Sequence, residues 1–104
     1  MNIAKMMKQA QKMQAQMQEA QAALAEKTVE ASAGSGKVTV TATGAGEITS
    51  IKIDPAIVDP EDVEILEDLV LSGITQASEK AKELAAEEME KVTGGMGLPP
   101  GMGF

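Results

Sequence analysis

Three lysines near the start of the chain have the type and spacing to bind a polyanion. Lys5, Lys8 and Lys12 are three and four residues apart, so a helix would place them along one face. A row of ammonium groups can neutralise successive phosphates of a nucleic acid. Gln9 and Gln16 lie in the same run and could add polar contacts. The alternative is a solvated face, which is the common role of lysine runs.

Most residue types that carry catalysis or bind metals are absent. The 104 residues include no Cys, His, Tyr, Trp or Arg, so the usual general bases, thiolate nucleophiles and zinc ligands are missing. The many acidic residues of the second half fall on the solvent side of a helical pattern that also carries Lys80, Lys82 and Lys91. We therefore expect no enzyme, no cofactor and no metal site.

The charge is distributed unevenly along the chain. The formal net charge is −7, yet residues 1–28 hold four lysines against two acids, and the remainder holds five lysines against fourteen acids. Positive charge is thus concentrated at one end of an acidic molecule. The acidic whole argues against a nucleic-acid partner, and the local cluster argues for one. Without Arg, no side chain offers a bidentate fork to guanine.

The lysines lie within an amphipathic helix predicted over residues 2–26. Its apolar positions alternate spacings of three and four, which is typical of a seam that packs on another helix. The seam residues are Ile3, Met6, Ala10, Met13, Met17, Ala20 and Leu24. Two partners remain open for it: the body of the same chain, or the same helix of a second copy. A small core without aromatic residues, except Phe104 at the end, favours the dimer.

The middle of the chain alternates β-branched and polar residues with a period of two, which predicts half-buried strands. We predict an antiparallel three-stranded meander over Val29–Ala33, Lys37–Thr43 and Glu47–Ile53, joined by short Gly-rich turns. Neither turn matches a phosphate-binding loop, because both join strand to strand. The sheet region as a whole spans 28–54.

A long helix is predicted over 59–93. It starts at the acid-rich sequence Asp59-Pro60-Glu61-Asp62, Gly73 could bend or split it, and the glycines after Thr93 would end it. The Gly/Pro/Met-rich residues 94–104 are expected to form a flexible tail or a peptide that docks on a partner. No apolar run is long enough for a membrane span, and the spaced apolar residues at the start do not suggest a signal peptide. The expected fold is α+β: a projecting helix (1–27), the sheet and the long helix in one domain (1–93).

Several short stretches occur in a specific order and spacing. They are Met6 to Gln14, Gly36-Lys37-Val38 with Val40, Gly46-Glu47, Ile51 to Pro55, Leu66 to Val70, and Thr93-Gly94-Gly95 with Leu98 to Gly101. Together they cover nearly the whole chain, which resembles the YbaB/EbfC family of bacterial nucleoid-associated proteins. The chain departs from that family in its acidity, its lack of Arg, and the sequence Ser72-Gly73-Ile74-Thr75 in the long helix.

The resemblance implies a homodimer in which sheets and long helices form a shared body and the terminal helices project like tweezers. It implies binding to double-stranded DNA with low sequence specificity, and a role in nucleoid organisation and gene expression. It also implies a cytoplasmic, nucleoid-associated protein with no membrane partner. A second interpretation stays open: an acidic adaptor that binds a replication or repair protein through the seam or the tail, with little DNA binding.

Overall fold

The predicted α+β fold and element order are confirmed. A computed structural model describes residues 2–95 as helix α1 (Ile3–Glu26), strands β1 (Thr28–Ala33), β2 (Val38–Thr43) and β3 (Ile48–Ile53), a short 3₁₀ helix (Pro55–Ile57) and helix α2 (Val63–Gly95). The second and third strands begin one residue later than predicted, and the 3₁₀ helix was not predicted. The predicted tail falls outside the described residues from Met96 onward.

The sheet is an antiparallel meander in the order β1-β2-β3. Its register places Ala31 opposite Val40 and Val40 opposite Ile51, so these three side chains share one face. A bulge between Thr41 and Ala42 interrupts the pairing of β2 with β3. The other face is polar, with threonines at alternate positions of β2. One side of the sheet is therefore built for a core, and the other for solvent.

Helix α2 covers the apolar face over β1 and β2 and barely reaches β3. The fully buried cluster between helix and sheet consists of small side chains, and Leu69 and Ile74 pack half-buried against it. The buried residues are Ala31, Val38, Val40, Ala42, Ala77 and Ala81. Lys80 donates a hydrogen bond from Nζ to the Glu30 carbonyl oxygen at 2.8 Å, on the outer strand β1. The helix is thereby fixed to one side of the sheet, and the opposite side stays open.

The predicted split of the long helix at Gly73 is not observed, because α2 runs without a break from Val63 to Gly95. Gly73 is buried against β2, and a Cβ there would lie 2.8 Å from Cγ2 of Val40. The glycine is therefore explained by the close approach of helix and sheet, which a larger residue would prevent.

The long helix begins four residues later than the sequence predicts, at Val63. The Asp59 carboxylate accepts a hydrogen bond from the Glu61 amide at 3.0 Å, and the Asp59 carbonyl accepts one from the Asp62 amide at 2.9 Å. These bonds close a local turn before the helix. Aspartate stabilises such turns and helix starts by the same means, so sequence alone did not separate them. At its other end the helix includes both Gly94 and Gly95.

Replacing Gly73 with alanine should destabilise the protein. Alanine normally favours a helix over glycine by about 1 kcal/mol, but overpacking against the fully buried Val40 should cost more, leaving a net loss of about 1 kcal/mol. Urea unfolding at fixed protein concentration measures the difference. The exposed neighbour Ser72→Ala serves as control and should be neutral or slightly stabilising. A Gly73→Ala variant more stable than the wild type would contradict the close-approach explanation.

Candidate nucleic-acid interface

The predicted phosphate-binding lysines share one exposed face of α1. Lys5, Lys8 and Lys12, which we call the lysine stripe, line a single surface depression together with Gln9. The depression lies within the first three turns of the helix. Asn2 caps that end, and its Oδ1 accepts a hydrogen bond from the Lys5 amide at 3.2 Å. Three ammonium groups and one amide are thus displayed on one rigid element.

Gln16 lies apart from the lysine stripe. It is half-buried and lines a crevice between the helices, with Glu19 and Ala20 on α1 and with Glu88, Lys91 and Val92 on α2. This placement follows from helical geometry, because Gln16 is turned toward the seam that packs on α2. The structure therefore groups four of the five predicted contact residues and places the fifth halfway along α1, beside α2.

The predicted seam divides into two halves. Ala20 and Leu24 are buried, and Met13 is half-buried. Met17 is 40 % exposed, while Ile3 and Met6 are 67 % and 56 % exposed, and Ala10 is also exposed. The half nearer the sheet thus packs on the body of its own chain. Among residues 2–95, the half nearer the N-terminus extends past α2, whose last described residue is Gly95.

The base of α1 is held by a backbone contact that the sequence did not reveal. The Gly44 amide donates to the carbonyl oxygens of both Leu24 and Lys27 at 2.9 Å. A Cβ at Gly44 would lie 2.7 Å from the Leu24 oxygen, so only glycine allows the turn after β2 to approach this closely. Sequence analysis assigned that glycine to a turn alone. It also joins the helix end to the sheet.

An ion pair adds a second attachment. Lys27 donates a hydrogen bond to Glu88 of α2, and Lys91 lies 3.6 Å from the same carboxylate oxygen. The hydrogen bond from Lys27, with the positive charges of Lys27 and Lys91, lowers the pKa of Glu88. A similar effect occurs at Asp54, whose pKa is lowered by the hydrogen bond from the Ala56 amide and then by Lys37. Of these two carboxylates, Glu88 helps to orient α1, because it binds Lys27 at the end of that helix.

The arrangement has the chemistry of a binding surface. Among residues 2–95, no cluster of three acidic side chains is placed to hold a metal ion. None of the helices in the described part of the chain is long and apolar enough to cross a membrane. The structure places a basic helix tip on an acidic body.

Comparison with known proteins identifies close relatives. The sequence profile of the YbaB/EbfC DNA-binding family matches residues 1–96. A nucleoid-associated protein of Akkermansia muciniphila is 55% identical over 104 residues, covering 100% of both chains. One from Alkaliphilus metalliredigens is 54% identical over 98 residues, covering 94% of this chain and 86% of the relative.

A solved structure supports the fold independently. The crystal structure of an uncharacterized protein from Helicobacter pylori matches with a TM-score of 0.77 at 18% sequence identity, covering 88% of this chain and 96% of that one. At this low identity the likeness concerns the fold alone.

Replacing Glu88 with glutamine should destabilise the protein in a pH-dependent way. Because the folded state lowers the pKa of Glu88, the ion pair of Glu88 with Lys27 stabilises the fold fully at pH values above the ordinary glutamate pKa of about 4.3. That contribution is lost as the pH falls through the lowered pKa. Urea midpoints of wild type and Glu88→Gln should therefore differ at pH 7 and converge toward acidic pH. The exposed neighbour Glu87→Gln is the control, and an equally large effect there would contradict a specific role for Glu88.

Proposed function

The chain belongs to the YbaB/EbfC DNA-binding family, and from that premise we propose that it binds double-stranded DNA as a homodimer with low sequence specificity. The proposal places it on the nucleoid, in the cytoplasm, as a non-enzymatic protein that affects nucleoid organisation and gene expression. The names of the relatives support the nucleoid assignment. The lysine stripe is the observation that carries DNA binding.

The lysine stripe suits contacts with the phosphate backbone. Lys5 and Lys12 are seven residues apart, so the stripe spans about 10 Å along the helix. That length matches a few successive phosphates of one strand, which are about 3.4 Å apart along the helix axis. Because lysine is a point charge without a planar fork, such contacts position the protein without identifying bases. Low sequence specificity follows from the residue type.

Charge repulsion confines the contact to the helix tip. Beyond residue 28 the chain holds fourteen acids against five lysines, so the body repels a duplex. Lys80 and Lys91 are also engaged within the protein, at the Glu30 carbonyl and near Glu88. DNA therefore meets α1 end-on or along its lysine face, away from α2. Two copies would supply six lysines in all.

The uncovered apolar surface beside β3 supports a homodimer. Ile51 and Ile53 lie opposite Val40 and Val38, on the face of the sheet that forms the core. Because α2 barely reaches β3, these two side chains remain 42 % and 37 % exposed. Monomeric proteins rarely leave adjacent core-facing side chains open to solvent.

Helix α2 adds a further side chain to that surface. Leu69 lies beside the turn at Gly34, where an added Cβ would be 3.1 Å from its Cδ1, and Lys80 bonds to β1, so both mark the β1 flank of the helix. Leu71 is two residues from Leu69, roughly 160° away around the helix. It therefore lies on the β3 flank, where it is 64 % exposed. A second copy placed on this surface would complete the core on its open side.

An adaptor function is the second candidate. The acidic body and the exposed Ile3, Met6 and Met7 of the α1 tip favour docking of another protein, for which a replication or repair protein is the proposed class. The two functions depend on different faces of α1. Removal of the lysine charges should abolish DNA binding and leave a protein partner bound.

Each lysine charge that is removed should weaken DNA binding, and removal of all three should abolish it. With about six phosphate contacts per dimer, log affinity should fall against log salt with a slope no steeper than about −5. Lys8→Gln removes two charges per dimer and should flatten the slope by about 2. The triple variant Lys5→Gln, Lys8→Gln, Lys12→Gln should not bind. A salt series of duplex binding by fluorescence anisotropy measures each slope.

Lys82→Gln is the matched control for these variants, because it changes the net charge equally at an exposed position of α2. It should leave the slope unchanged. An equal flattening by Lys82→Gln would show that overall charge, rather than the lysine stripe, determines binding. Absence of wild-type binding at low salt would favour the adaptor function.

Introducing a charge on the uncovered apolar face of β3 should dissociate the proposed dimer. Ile51→Lys places an ammonium group on the uncovered apolar face, where a partner copy could not solvate it. Light scattering should report a monomer at concentrations where the wild type is dimeric, and DNA affinity should fall by at least roughly tenfold because two tips no longer act together. Ser50→Lys, on the opposite face of the same strand, should remain dimeric. A dimeric Ile51→Lys variant would place the interface elsewhere.

A further inference from the structure

The face of α1 that carries the lysine stripe changes its charge along the helix. At about 100° per residue, Lys5, Lys8 and Lys12 fall within a sector of roughly 60° around the helix axis. Glu19 and Glu26 fall within the same sector, and all five side chains are exposed. The face therefore displays three positive charges near the N-terminus and two negative charges nearer the sheet.

Four of these charges form a straight row at equal intervals. Lys5, Lys12, Glu19 and Glu26 are each seven residues apart, which is about 10 Å along the helix. Positions seven residues apart drift by only about 20° around a straight helix, so the row runs nearly parallel to the axis. It holds two positive and then two negative positions, and the boundary lies between Lys12 and Glu19.

The negative charge at this boundary is not neutralised by a lysine. Among residues 2–95, each ion pair has Glu88 or Asp54 as its acidic partner, and none involves Glu19. Lys91 lines the same crevice as Glu19, but it lies beside the Glu88 carboxylate instead. Glu19 therefore presents a full negative charge to anything that lies on the lysine-bearing face.

This boundary limits how a duplex can lie on α1. A strand that followed the helix from Lys5 to Lys12 would reach Glu19 after another 10 Å or so, which is about three phosphates further on. The carboxylate would repel those phosphates. We propose that Glu19 ends the DNA-binding face and thereby places the duplex across the helix tip instead of along the helix. Glu19 is a positioning residue in this inference, which rests on the proposed DNA-binding function.

Glu26 provides a comparison within the same row. It is the last residue of α1 and lies one interval beyond Glu19, so a duplex that stops before Glu19 does not reach it. Reversing the charge at Glu26 alone should therefore add no phosphate contact. The same reversal should add one once the charge at Glu19 has also been reversed. An effect of overall charge would instead be equal at the two positions and additive.

The test is a salt series of duplex binding, measured by fluorescence anisotropy on a duplex of about three helical turns. A new phosphate contact in both copies steepens the slope of log affinity against log salt by about 2. Glu19→Lys should therefore steepen the slope by about 2, Glu26→Lys should leave it unchanged, and the double variant should steepen it by about 4. Glu19→Gln removes the repulsion without adding a contact. It should keep the wild-type slope and raise the affinity at low salt by at least roughly twofold.

The outcomes distinguish this inference from the function on which it rests. Equal steepening by Glu19→Lys and Glu26→Lys would assign the effect to overall charge and overturn the role of Glu19. Binding that is unchanged in both Glu19 variants would also overturn that role and leave DNA binding intact. Failure of the wild type to bind at low salt would overturn the proposed function and the inference together. Light scattering and urea unfolding of each variant show that assembly and stability are unchanged.

Discussion

The close approach of α2 to the sheet is the constraint from which the rest of the structure follows. The buried layer is made of alanines and valines, and its largest fully buried side chains are Val38 and Val40. Such small side chains fill the space only if helix and sheet lie close together, and Gly73 permits this against Val40. Leaving out aromatic residues keeps the layer thin. The single helix α2 covers this thin layer over β1 and β2 but barely reaches β3.

Two features of the surface result from this thin core. The third strand keeps its core-facing isoleucines partly open, which a second copy can cover. The far half of α2 runs past the sheet and supports α1, so the first helix is held near Ala20 and Leu24 and extends beyond that point. The packing contacts and the lysine stripe thereby occupy separate parts of one helix. The base of α1 is apolar and buried, whereas its tip is basic and exposed.

Sequence periodicity was sufficient to predict the two long helices, the three strands and their order. The period of two at Val38 and Val40 predicted a strand, and the alternating spacing from Ile3 to Leu24 predicted a seam helix. Periodicity could not predict how far each seam would be covered, because that depends on where α2 lies and where it ends. The isoleucines of β3 have the same pattern as buried residues and are nevertheless exposed. The lysine stripe was placed correctly on one face by spacing alone, and its role remains a prediction.

The positions missed by the sequence analysis share a physical cause. Gly73 and Gly44 were interpreted through backbone conformation, yet both are needed because another chain segment comes too close for a side chain. Asp59 was assigned to a helix start because its local hydrogen bonds resemble those of a cap. For the two glycines, the deciding contact is a tertiary one. For Asp59, tertiary structure decides between a turn and a helix start that use the same local hydrogen bonds. Gln16 differs only in that its face of the helix meets α2.

The junction between α1 and β1 has a consequence for the DNA binding proposed above. A single residue, Lys27, separates the helix from the strand, and its carbonyl is bound by Gly44. With so short a connection, the sheet sets the direction of the helix, and no linker can adjust it. In the proposed homodimer, the distance between the two helix tips is then fixed. A fixed distance favours duplexes of one width and curvature, so under the proposed function the bending of DNA, more than its sequence, would determine where the protein binds.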